Sequence, residues 1–111
     1  MPINSKNKGK NGELEFCRLC HAEGYNDVHR TAQFRGNTGQ AGDVEGLPGI
    51  HVEVKRNERL NILEAMEQSV RDCEASGKGE TPIVAHRKNN SPWLITMRAK
   101  DFFNLYRENR L

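Results

Sequence analysis

The chain has 111 residues, 35% of them hydrophobic, and its 17 Lys and Arg against 15 Asp and Glu leave a formal net charge of +2. That length holds one domain and one core, and the near-balanced charge sets it apart from disordered chains, which combine low hydrophobicity with a large unbalanced charge. The first ten residues are polar and lysine-rich, so they form no secretory signal, and no stretch approaches the ~20 apolar residues of a membrane span. A soluble, cytoplasmic protein with no membrane partner is expected, one whose slight basicity permits a polyanionic partner without demanding it. Cys17, Cys20 and Cys73 are odd in number, which argues for reduced thiols rather than a disulfide framework.

In chain order, residues 1–8 read as a flexible basic arm and residues 9–111 as a single domain. A helix beginning near Gly9 to Gly12 runs toward Gly24, a residue type that commonly ends helices. Residues 28–31 form a strand, and residues 34–42, with three glycines, a mobile loop. Residues 43–45 and 50–55 flank Gly46-Leu47-Pro48-Gly49, a turn-forming quartet that predicts an antiparallel hairpin. From Leu60 to Ser76, Ile62, Leu63, Met66, Val70 and Cys73 recur at helical spacing before Gly77. Two more strands, residues 82–87 and 93–97, are separated by an Asn89-Asn90-Ser91-Pro92 turn, and a last helix covers residues 99–108. The order αβββαββα predicts an α/β fold, a mixed central sheet flanked by helices.

Chemistry concentrates on the hairpin. In residues 50–55 the period of two places Ile50, Val52 and Val54 on one face and His51, Glu53 and Lys55 on the other. If Val44 shares the apolar face with Val52 and Val54, the register has even parity and Asp43 projects on the side of Glu53. Two carboxylates and an amine then meet. Mg²⁺ takes oxygen ligands, usually one or two carboxylates with waters and substrate phosphate, and a neighbouring lysine orients or deprotonates the attacking water or stabilises charge on the phosphate. The set suits phosphodiester hydrolysis.

The first helix adds a third acidic residue. At 100° per residue Phe16, Cys17 and Cys20 share one stripe with Glu13 near its centre, whereas Glu15 points almost the opposite way. An acidic residue on a core-facing stripe is costly unless paired or metal-bound, so Glu13 is the better ligand candidate and Glu15 is expected to be solvated.

Gly42-Asp43 followed after nine residues by Glu53-Val54-Lys55, behind a helix bearing Glu13 and ahead of a long helix, resembles the PD-(D/E)XK nuclease superfamily. Within it the pattern is similar to archaeal-type Holliday junction resolvases and their phage-encoded relatives. Lys8-Gly9 before Glu13, Gly24-Tyr25 at the helix end, Arg30, and the Gly36-Asn37-Thr38-Gly39 loop carry the likeness over residues 6–97. Gly42 stands where a proline is often written. The resemblance implies a restriction-endonuclease-like αβββαβ core. It also implies metal held by Glu13, Asp43, Glu53 and the backbone carbonyl of Val54, with Lys55 serving the attacking water. Gln68 is an accessory candidate, although its helical phase lies away from the apolar stripe. Mg²⁺, with Mn²⁺ as substitute, is the implied cofactor.

Plainer readings stand beside each of these. An acid next to a lysine on a strand is often a solvated face, and only its company with the hairpin turn, Glu13 and the αβββαβ order raises it above chance. Cys17-Arg18-Leu19-Cys20-His21 matches a haem-attachment pattern, but that chemistry needs export, so no haem is expected. A zinc site would have only one close cysteine pair, and two buried thiols on a helix face are the simpler reading. His51 lies beside the proposed site, where it could contact phosphate, but an exposed strand histidine is the commoner case, and it is assigned no role. Lys6, Lys8, Lys10, Arg30, Arg35, Arg56 and Arg59 flank the site and offer phosphate contacts without sequence readout, with Lys8, Lys10, Arg30, Arg35 and Arg56 as the named DNA-binding set. Trp93, Phe102, Phe103 and Tyr106 read as core or interface packing rather than base-stacking platforms. One active site per chain and two cuts per four-way junction imply a homodimer acting on branched DNA, in the host cytoplasm if phage-encoded. The competing expectations are a nicking or other DNA endonuclease of the same fold, and a non-catalytic DNA-binding module.

Overall fold

The computed structural model describes residues 5–31 and 42–108, with side chains from residue 9 onward; the glycine-rich loop, Arg35 within it, and the side chains of Lys6 and Lys8 lie outside the described residues. The elements are α1 (Ser5–Ala22), β1 (His29–Arg30), β2 (Val44–Glu45), β3 (Ile50–Lys55), α2 (Ile62–Ser76), β4 (Thr81–His86), β5 (Leu94–Met97) and α3 (Ala99–Arg107). Every expected element is present in the expected order. The first helix starts earlier than Gly9, so residues 5–8 of the supposed arm are helical backbone. Glycine costs about 1 kcal/mol in a helix, which made Gly9 and Gly12 look like a boundary; packing on the sheet overrides that preference.

The sheet runs β1-β2-β3-β4-β5. Neighbours are antiparallel except β3 and β4, which pair in parallel because α2 carries the chain across one face between them. Asn61 starts α2 by accepting the Glu64 N–H on its side-chain oxygen at 3.1 Å, and Gly77 ends it in the left-handed region at φ 69°.

Both faces of the central strands are covered. On one side Phe16, Cys17 and Cys20 of α1 meet Val28, Val44, Val52, Val54, Ile83 and Ala85, and Trp93 packs on Phe16 with ring centres 5.2 Å apart. On the other, Ala65 and Met66 of α2 meet Val84. The cysteines are buried free thiols. Gly12 is where α1 comes closest to β3, since a Cβ there would stand 2.7 Å from Cβ of Arg56. At the edge, Phe102 touches Phe103 and Tyr106 but all three are exposed, because α3 buries only Leu105; they are not part of the core. Among the described residues no helix is long and apolar enough to cross a membrane.

Candidate active site

The hairpin register decides what meets what. Val44 stands opposite Val52, the even parity expected, so Asp43 falls level with Glu53. The backbone N–H of Val54 donates to Asp43 Oδ2 at 2.8 Å, and the N–H of Asp43 donates to the Val52 carbonyl at 2.7 Å. This close approach explains Gly42, where a Cβ would sit 2.7 Å from the Val52 carbonyl oxygen and force the aspartate away from β3. Burial above all, and then the charge of Glu53, push the Asp43 carboxyl up to about 7; the Val54 N–H and Lys55 oppose that rise without cancelling it.

Glu53 is 2% exposed and accepts a hydrogen bond from Nε2 of His51, also 2% exposed, at 3.1 Å. His51 is therefore not the exposed strand histidine expected. The period of two assumed one wet face, whereas β3 is a middle strand with α1 on one side and α2 on the other. On that side Ser69 of α2, fully buried, donates its hydroxyl to the Ile83 carbonyl at 2.9 Å.

Lys55, at the end of β3, is half-buried and lines an open recess of about 350 Å³ with Asn57, Arg59, Asn61 and Gln68. The structure thus brings Gln68 beside Lys55. Its position off the apolar stripe of α2 is what turns it toward this polar hollow.

Glu13 is half-buried on the inner side of α1, its side chain 13% exposed, and Nε of Arg30 donates to it at 2.8 Å. Burial raises its pKa, Arg30 pulls the other way, and the charge of Asp43 adds to the rise, so the two carboxylates sense each other. Glu15 is not simply solvated. Arg87 and Arg56 both pair with it, and although burial alone would raise its pKa, those two cations hold it below the ordinary value. Arg87 was invisible in the sequence because it reaches Glu15 from 72 positions away.

The pairing also narrows the basic set. Arg30 is committed to Glu13, and Arg56 to Glu15, Glu58 and Asn89. Lys10 and Arg59 remain exposed.

Among the described residues no three His, Cys, Asp or Glu side chains converge as a ready metal cage. Asp43 and Glu53 nevertheless fit a hard divalent cation. They are oxygen donors, buried in mutual contact, and their like charges leave one of them protonated near neutral pH unless a cation takes the proton's place.

A mixed five-stranded sheet between helices, with a carboxylate pair and a lysine on its central hairpin, defines a PD-(D/E)XK nuclease of restriction-endonuclease-like fold. The family model described as Phage putative PDDEXK endonuclease matches residues 4–110, and the chain belongs to that family. Among solved structures, Hjc from Archaeoglobus fulgidus, a Holliday junction resolvase from an archaeal hyperthermophile, superposes with a TM-score of 0.58 at 20% identity, covering 80% of this chain and 76% of that one. No curated protein matches the chain.

Proposed function

We propose that the chain is a Mg²⁺-dependent, structure-selective DNA endonuclease that cuts four-way junctions as a homodimer. The observation that carries the reading is the Asp43–Glu53 pair buried beside Lys55 on one hairpin. Asp43, Glu53, Glu13 and the Val54 carbonyl are the ligands proposed for the cation, for which Mn²⁺ would substitute. Once bound, the cation supplies a Lewis acid for the phosphate and a lower pKa for water. Lys55 orients the water that attacks phosphorus; the new P–O bond forms as the bond to the leaving sugar oxygen breaks, and the leaving oxygen takes up a proton. Gln68, which shares the recess of Lys55, holds that water from the side of α2. Arg59 and Lys10 contact flanking phosphates; Arg30 and Arg56 do so only through faces left free by their carboxylate partners. Lys8 and Arg35 extend the same basic set.

Junction choice is supported by the superposition on a protein described as a Holliday junction resolvase. Two coordinated cuts call for two active sites, which a two-fold dimer provides. The surface suits one. β5 is the sheet's last strand and exposes Ile95 (50%) on the face toward Leu105, and α3 exposes Phe103 (54%) and Tyr106 (65%) beside Phe102. With aromatic side chains carrying about 150–250 Å² each, the exposed parts amount to on the order of 400 Å². A standard interface takes ~800 Å² from each partner.

The test is cleavage of a labelled four-way junction and of matched linear duplex, with Mg²⁺, Mn²⁺ or chelator. Symmetric paired nicks in the junction alone are expected. Equal cutting of duplex would support a nicking or general endonuclease of the same fold. Binding without cleavage under every metal would leave a non-catalytic DNA-binding module and overturn the enzyme.

A further inference from the structure

We propose that His51 is a positioning residue for the Glu53 carboxylate, holding it by the Nε2–H bond in the orientation that receives the metal ion. This rests on the reading of Glu53 as a metal ligand.

Three observations meet at this residue. First, His51 and Glu53 are two positions apart on β3, so strand geometry puts both side chains on the α2 side, and both are 2% exposed. Second, Nε2 lies 3.1 Å from Oε1 of Glu53; a carboxylate only accepts, so the imidazole donates, which fixes its tautomer with the proton on Nε2. Third, among the described residues this is the one ion-pair contact Glu53 makes, no Lys or Arg reaching it within 4 Å. A buried carboxylate swings freely between rotamers or takes up a proton unless a donor holds it. The imidazole holds Oε1, and the contact with the Asp43 carboxyl is the one a cation would replace. Lysine in the same place would neutralise the glutamate and compete with the ion.

His51 lines a hollow with Lys78 and Glu80, apart from the recess that Lys55 and Gln68 line, and what it offers the site is its hydrogen bond to Glu53. Donors that fix metal-binding carboxylates typically contribute 10–100-fold to metal affinity, which sets the effect to look for.

The experiment measures Mn²⁺ binding to the full chain by the loss of the free-ion paramagnetic resonance signal, without DNA, for wild type, His51→Gln, His51→Asn and Glu53→Gln. The glutamine amide can place an N–H where Nε2 stands; the asparagine amide is equally polar but stops near the position of Nδ1. His51→Gln is expected to bind within about threefold of wild type, and His51→Asn to bind about tenfold or more weakly. Thermal melts confirm that both are folded, and cleavage at saturating Mn²⁺ should recover in His51→Asn more than cleavage at limiting Mn²⁺. If Gln and Asn bind Mn²⁺ alike, whether both as wild type or both weakly, the positioning role is overturned. Glu53→Gln separates that failure from failure of the site itself: its loss of binding is expected, and wild-type affinity there would overturn Glu53 as a ligand.

Discussion

On the middle strand β3 the chain buries charge, with Glu53, His51 and the neighbouring Asp43 packed between two helices; on the edge strand β5 and on α3 it leaves Leu94, Ile95, Phe102, Phe103 and Tyr106 in water. Both regions run against the usual partition of polar and apolar groups, in opposite directions. The folded monomer gains nothing from either: buried like charges destabilise it, and exposed rings forgo burial worth about 25 cal/mol per Å². On the proposed function each departure has a counterpart absent from the free chain, a cation at the first region and a second copy of the chain at the second.

The sharpest way to break that comparison is to remove the charge at β3. Asp43→Asn keeps an acceptor for the Val54 N–H, so the fold survives, and Lys55→Ala removes only the amine. Each is expected to lower junction cleavage about 10³-fold or more with junction binding largely kept, as read by single-turnover cleavage and by gel shift. Cleavage unchanged by either substitution would detach the buried pair from catalysis.

The edge region is tested by Phe103→Asp combined with Tyr106→Asp. Both side chains are already exposed, so the monomer should keep its melting temperature while sedimentation shows dimer association weakened by about tenfold at least, each 1.4 kcal/mol being one decade. Paired nicks should give way to single ones. Intact dimers in the double variant would place the contact elsewhere.

The buried pair also predicts a pH dependence in chelator. The Asp43 pKa is raised from an ordinary 3.8 to about 7, so the folded chain holds a proton that the unfolded chain has released. Its stabilising contribution is complete below about pH 4 and is lost as pH rises through about 7, at up to about 1.4 kcal/mol per pH unit. Glu13, also raised, adds in the same sense. Chemical denaturation between pH 4 and 8 should show stability falling with pH in wild type, a flatter profile in Asp43→Asn, and recovery on adding Mg²⁺ at pH 8 but little at pH 5. A wild-type profile as flat as that of Asp43→Asn would mean the two carboxylates do not share a buried site.

The two regions were unequally legible in the sequence. The β2–β3 hairpin followed from strand alternation and the Gly46–Gly49 turn, and those local rules placed Asp43 opposite Glu53 correctly. His51 went wrong because alternation tells which residues share a face, not whether a helix covers it; that depends on α2 returning over β3 from the far side of the turn. The α3 aromatics show the converse: an apolar stripe at helical spacing signals burial against something, core or interface, without saying that the something lies in the same chain.

The two glutamates of α1 give the smallest effect and a fine discrimination. Helical phase put Glu13 toward the core and Glu15 away from it, yet both are part-buried and each has arginine partners, so ion pairing alone does not tell ligand from scaffold. Glu15 is a third exposed and bound to Arg87 and Arg56, which tie α1 to the ends of β4 and β3; solvent screens such pairs, and their contribution is about 1 kcal/mol or less. Glu15→Gln should therefore lower stability slightly, most at low salt, and leave Mn²⁺ affinity and cleavage within about twofold of wild type. Glu13→Gln removes a carboxylate that feels Asp43, and should weaken Mn²⁺ binding and cleavage while freeing Arg30 to bind phosphate more tightly. Equal losses of metal affinity in the two variants would show that α1 acts on the site through its packing on β3, with neither glutamate at the ion; a loss confined to Glu13→Gln would extend the buried charged region from the hairpin onto the helix.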